Sequence, residues 1–185
     1  MNIAIIGGIG SGKSAVLAVA REMGITALSA DEINAELLRN PEYVSKLAEK
    51  FPDCVVCGVV DKPRLAAQVF SDKTKLAALN SLAHPAIARK VAECTADPLV
   101  VELPLVLESG MAGMFDEIIL VTAPRKIRLQ RLQERGVAPA RAKAIMRAQV
   151  PLFKLRRIAT RTVDNSGSLE ELREAARNIL RIFCE

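Results

Sequence analysis

Residues 2–14 read NIAIIGGIGSGKS. Asn2 to Ile6 is a short apolar run of the kind that forms a buried strand. It leads directly into Gly7-Gly8-Ile9-Gly10-Ser11-Gly12-Lys13-Ser14, which fits the spacing G-x-x-x-x-G-K-[ST], and Ala15 to Val19 continue with helical spacing. Strand, glycine-rich loop and helix in that order are the context a phosphate-binding P-loop needs, and a glycine-rich turn with an incidental lysine needs none of it. The glycines let the backbone fold back with its N–H groups inward and leave room for phosphate oxygens. The helix that starts near Gly12 adds unpaired N–H groups and the positive end of its dipole. Gly8, Gly10, Ser11, Gly12, Lys13, Ser14 and Ala15 are therefore the expected nucleotide contacts, with Lys13 bridging the β- and γ-phosphates and the Ser14 hydroxyl a ligand for Mg²⁺.

Around this loop, 185 residues suffice for one well-buried domain with a small insertion. Half the residues are apolar (50%) and a quarter charged (25%), the balance of an ordinary globular protein. No apolar run approaches the roughly 18 residues that span a bilayer. The first residues lack the basic region of a signal peptide, so a cytoplasmic location is expected. Cys54, Cys57, Cys94 and Cys184 do not suggest a disulfide framework. Cys54 and Cys57 form a single C-x-x-C with no second pair or histidine at metal spacing, which favours buried or half-buried thiols over a zinc or redox site.

The net charge is +5, but twelve of the 26 basic residues lie between Pro124 and Arg161, where the only acid is Glu134. A solvated helical face usually mixes both signs, so this segment calls for a polyanionic partner, and polyphosphate is the economical one beside a P-loop. Phe153 is the only aromatic in the segment, which argues against stacked nucleic-acid bases.

Strands are expected at Ile25–Ala30, Pro98–Leu103, Glu117–Thr122 and Arg161–Asp164 as well as at the N-terminus. Helices are expected at 32–39, 41–51, 61–70 (with Asp61 as N-cap), 72–82, 85–94, 124–135, 139–149, 151–158 and from Ser168 to Phe183. Cys54 to Val60 is compatible with either a strand or an extended connector. Alternation of strands and helices predicts a parallel sheet covered on both faces. The expected fold class is α/β: a three-layer P-loop fold with a parallel five-stranded sheet and a helical substrate-binding insertion. The core is expected at 1–31, 98–123 and 160–185 and the inserted helices at 32–97, all in a single domain. Ligands of such sheets bind at the carboxyl ends of the strands, where the polar residues are the loop, Asp31, Glu102, Thr122 and Asp164-Asn165. Asp31 has two readings, cap of the helix beginning at Glu32 and base for an acceptor hydroxyl. Glu102, ending an apolar strand, reads either as a carboxylate that holds Mg²⁺ through water or as a charge at a strand end.

Several stretches carry a resemblance that extends over nearly the whole chain. They are GGIGSGKS, the Ala30-Asp31 step, LNSLAHPAI (79–87), PLVLE (104–108), RLQRLQERG with Arg131 and Arg135, RAQVPL (147–152) and VDNSGS (163–168). In that order and with those gaps the sequence resembles the dephospho-CoA kinases, P-loop kinases of nucleoside-monophosphate-kinase type, and the resemblance implies that the helices at 32–97 bind the acceptor and that 124–159 form a helical lid. The resemblance implies transfer of the ATP γ-phosphate to the ribose 3′-hydroxyl of dephospho-CoA, with ATP and Mg²⁺ as cofactors. It implies Lys13, Asp31 and Arg135 as catalytic residues, Asp31 as the base. His84, Pro104, Leu105 and Glu108 would line the acceptor pocket with Asp31 and Arg147. Arg131 would approach the phosphates of ATP, and Asn165 would flank its adenine. His84, standing before Pro85 at an expected helix start, also reads as a cap. The implied partner is a small molecule, with neither nucleic acid nor membrane, in a monomer or weak homo-oligomer.

Some positions depart from the family pattern: Ser29 replaces a common aspartate, Ile6 and Ala15 replace threonines, Leu155 a lysine and Thr160 an aspartate. Two other functions are compatible with the same loop. One is a small-molecule kinase for a nucleoside monophosphate or sugar, and the other is a nucleotide-binding protein without catalysis.

Overall fold

The structure is a computed structural model that describes residues 1–184, with the backbone alone at Phe70. The elements in chain order are β1 (Asn2–Ile6), α1 (Lys13–Glu22), β2 (Thr26–Ser29), α2 (Ala30–Leu37), α3 (Pro41–Lys50), β3 (Val55–Val56), β4 (Val59–Val60), α4 (Lys62–Ser71), α5 (Lys73–Glu93), β5 (Leu99–Glu102), β6 (Glu117–Thr122), α6 (Arg125–Glu134), α7 (Pro139–Ala148), α8 (Leu152–Ile158), β7 (Arg161–Asp164) and α9 (Leu169–Arg181). They form two compact units, residues 1–29 with 95–185 and residues 30–94.

The first unit is built on a five-stranded sheet in the order β2-β5-β1-β6-β7, every pair parallel. β1 is central because its residues are apolar on both sides, so it tolerates a neighbour and a helical layer on each. Ile3, Ile5, Val100, Ile119 and Val121 face α1 and α9 and are buried with Val16, Val19, Leu172, Ala176 and Leu180. Ala4, Ile6, Leu99, Val101 and Leu120 alternate to the opposite face and are equally buried, which completes the three layers. α9 begins with a full capping box, Ser168 Oγ accepting from Glu171 N and the Glu171 carboxylate accepting from Ser168 N. Two departures from the family pattern are structural here. Leu155 is buried on α8, and Thr160 Oγ1 accepts from Ile118 N at 3.0 Å, closing the start of β6.

The second unit is mainly helical. α4 is capped by Asp61, whose Oδ1 accepts from Arg64 N at 3.0 Å. Three sequence expectations need correction within it. The stretch 54–60 is neither one strand nor a connector but a hairpin, β3 pairing antiparallel with β4 around Cys57 and Gly58, both at positive φ. The helices expected at 72–82 and 85–94 are one 21-residue helix, α5, with Pro85 inside it. Pro85 lacks the N–H that would bond the carbonyl of Ser81, but both residues are exposed and water can serve that carbonyl. His84 consequently lies in mid-helix, away from any N-cap position. Finally, α2 begins at Ala30, so Asp31 lies in its first turn rather than at its N-cap.

Candidate active site

β1 ends at Ile6 and the chain turns through Gly7–Gly12 into α1, as the spacing requires. Gly12 holds φ 106°, and a Cβ there would overlap Asn165 Nδ2, so only glycine fits. Lys13 is almost fully buried (8% exposed), its Nζ 3.5 Å from Gly8 O and 3.9 Å from Glu102 Oε1. Ser14 Oγ donates to the same Glu102 Oε1 at 3.2 Å. Glu102 ends β5, the strand beside β1, and parallel register places it next to Ile5. An ammonium, a hydroxyl and a carboxylate thus meet at the mouth of the loop, which fits a phosphate and a hard, oxygen-seeking cation together.

On the other side of the loop, Asn165 follows β7. Its backbone N–H donates to Thr122 O (2.7 Å) and its Nδ2 to Ser11 O (2.7 Å). Its Oδ1 accepts from Arg131 Nη2 at 3.0 Å. Arg131 Nη1 and Ser11 Oγ are buried without a hydrogen-bond partner among the described residues. A buried donor left in this condition is costly unless a ligand completes it. Gly12, Ala15, Arg131, Glu134, Arg135 and Asn165 line a hollow of about 290 Å³ together with Leu169 and Leu172.

Lys13, Ser14, Glu102, Arg131, Arg135 and Asn165 are therefore gathered around one loop. Arg147 lies beside Arg125, Arg128 and Met146. Pro104, Leu105 and Glu108 follow the carboxyl end of β5, with Leu105 and Glu108 exposed. Asp31 and His84 belong to the second unit: Asp31 is exposed on α2 and His84 half-buried on α5, and these two helices pack together.

Two residues at the loop escaped the sequence reading. Arg128, on α6, donates from Nε to Ile9 O (2.8 Å) and from Nη2 to Gln149 Oε1 (3.1 Å). The same Gln149 oxygen accepts from Ile9 N at 2.9 Å. Burial lowers the pKa of the Arg128 guanidinium. Arg128 is one cation among twelve in its segment, and Gln149 is a neutral residue at a helix end, so neither stands out in the sequence. Cys54 is buried and Cys57 exposed; among the described residues no three metal-ligating side chains come together.

The family model for dephospho-CoA kinase matches residues 1–171. A dephospho-CoA kinase of Thermus thermophilus is 39% identical over 183 residues, covering 96% of this chain and 89% of that one. The crystal structure of TT1252 from Thermus thermophilus superposes with a TM-score of 0.84 at 36% identity, covering 98% of this chain and 97% of that one. A shikimate kinase from Acinetobacter baumannii, solved with shikimate, shares the fold alone: TM-score 0.60, 15% identity, 99% of this chain and 92% of that one.

Proposed function

The chain belongs to the dephospho-CoA kinase family, and from that membership we infer that it transfers the γ-phosphoryl group of ATP to the ribose 3′-hydroxyl of dephospho-CoA, the last step of CoA synthesis. The observation that carries this reading is the convergence of Lys13, Ser14 and Glu102 on one P-loop in a chain that matches the family from residue 1 to 171.

Lys13 and the inward amides of the loop offset the charge that builds on the transferring phosphoryl group, the largest contribution available to such a reaction. Ser14 Oγ and Glu102 Oε1, 3.2 Å apart, are the oxygen pair that would hold Mg²⁺, Glu102 through water. Held there, Mg²⁺ would supply positive charge that offsets the charge of the transferring phosphoryl group. Asp31, two residues past β2, orients the acceptor hydroxyl and takes its proton. Its support is an exposed carboxylate just beyond the carboxyl end of a parallel strand, together with the Ala30-Asp31 step the family shares. Arg135 and Arg131 close on the phosphates, and the unpartnered Arg131 Nη1 is a donor held ready for an anion. Asn165 borders the adenine, fixed by its bonds to Ser11 and Arg131. His84, Pro104, Leu105, Glu108 and Arg147 contact the acceptor. Among the described residues no helix is long and apolar enough to cross a membrane.

Incubation with ATP and Mg²⁺ tests the reading. Dephospho-CoA is expected to yield 3′-phosphorylated product, and nucleoside monophosphates or sugars are not. ATP binding by calorimetry with no product from dephospho-CoA would overturn it.

A further inference from the structure

Both polar groups of Ile9 are taken up outside the mouth of the phosphate loop. Its N–H donates to Gln149 Oε1 (2.9 Å) and its carbonyl accepts from Arg128 Nε (2.8 Å), while Arg128 Nη2 closes the triangle on Gln149 (3.1 Å). The contact is tight on the backbone side as well. Gly10 has φ 75°, and a Cβ there would stand 3.0 Å from the carbonyl oxygen of Arg128; at Gly8 it would overlap the guanidinium. α6 and the end of α7 therefore grip the loop at its tip through two hydrogen bonds to Ile9, and a third between Arg128 and Gln149 ties the two gripping side chains together.

A trans peptide sets its C=O and the following N–H on opposite sides. Drawing the Ile9 carbonyl out to Arg128 turns the Gly10 N–H the other way, into the loop. Lys13 Nζ lies 3.5 Å from Gly8 O, so this part of the loop is at the ammonium end, where a P-loop lysine reaches the terminal phosphates. We propose that Arg128 and Gln149 are positioning residues for the transfer: by fixing the peptides on both sides of Ile9 they aim the Gly10 N–H at the phosphoryl group that moves. Neither side chain need touch the nucleotide. The proposal rests on the reading above, that the loop binds ATP for transfer to dephospho-CoA. It adds two residues whose action passes through the backbone of a third.

A preorganised donor aimed at developing charge acts on the transition state more than on the bound ground state. Arg128→Lys keeps a cation near the loop but cannot reproduce the fork, and Gln149→Met keeps length and volume while replacing the amide oxygen with a weakly accepting thioether. Each is expected to lower kcat for CoA formation roughly ten- to a hundredfold, with KM for ATP changed less than about threefold. ADP, which lacks the transferring group, should bind both variants as it binds the unmodified protein, and that affinity also shows that the loop is folded. Because the two side chains act as one clasp, the double variant should be no slower than the slower single one. Full kcat in Arg128→Lys would overturn the proposal, since charge alone would then suffice. So would losses that multiply in the double variant, or a variant that raises KM for ATP and leaves kcat unchanged. Failure of the unmodified protein to make product would instead sink the functional reading, so the two failures are separable.

Discussion

At the mouth of the loop, a single carboxylate oxygen serves two partners: Glu102 Oε1 faces both the Lys13 ammonium and the Ser14 hydroxyl. Asp31, by contrast, is exposed, so its substitution should alter chemistry without disturbing a core. Asp31→Asn removes the proposed proton acceptor and retains the shape, and kcat should fall by about 10²–10⁴ while the melting temperature stays near that of the unmodified protein. Steady-state kinetics beside a thermal melt check this, and unimpaired turnover would remove Asp31 from the role of base. The loop and its lysine were legible because glycine, lysine and serine at fixed spacing have few other uses between a strand and a helix. Glu102 was legible as a polar residue ending an apolar run. The contacts of Arg128 and Gln149 were not, because they join residues more than a hundred positions from the loop and depend on how α6 and α7 return to it.

Among the elements, β6 occupies the residues that its apolar run defines, because a strand with neighbours on both sides and helices above and below has little latitude, while β7 pairs with β6 alone at the sheet edge. α5 was harder, since Pro85 reads as a break and is one only where a lost N–H cannot be replaced by water. The β3–β4 hairpin was hidden because Cys57 occupies a positive-φ position where asparagine or glycine is the usual signal. Its two thiols should differ in reactivity. Cys57 is exposed at the turn, whereas Cys54 is buried and burial raises its thiol pKa, so a water-soluble alkylating reagent should modify Cys57 and spare Cys54 until the protein unfolds. Mass spectrometry of the native and denatured protein reads the difference. α9 offers a second test. Ser168→Ala removes an N-cap acceptor and should lower stability by about 1 kcal/mol. The N–H and hydroxyl of Ser168 bonded to Glu171 hold that carboxyl below its ordinary pKa. A depressed carboxylate stabilises the fold above its unfolded pKa and loses that contribution as pH falls through the folded value. The melting temperature of Glu171→Gln should therefore lie below that of the unmodified protein at neutral pH and converge with it in acid. A gap that persisted in strong acid would mean that charge is not the cause.

For the whole molecule, nucleotide binding is linked to folding. A ligand bound only by the folded chain, at a hundred times its Kd, adds about 2.7 kcal/mol of stability. For a chain of this size that is roughly 5–10 °C in Tm. ATP should produce such a shift in a thermal melt and Lys13→Ala should abolish it; an equal shift in that variant would place the nucleotide elsewhere. The sheet order has one more consequence. β1 holds the first strand positions of the chain, yet Ile3 pairs with Val100 on one side and with Glu117 on the other. A nascent chain leaving the ribosome therefore carries this apolar strand without either neighbour until β5, at Leu99–Glu102, has been made. The nucleotide grip cannot exist before then, and the early chain presents an apolar segment for which a chaperone is the natural escort. Ribosome-bound fragments ending ahead of β5 should show no protection by ATP, and fragments extending past β7 should acquire it.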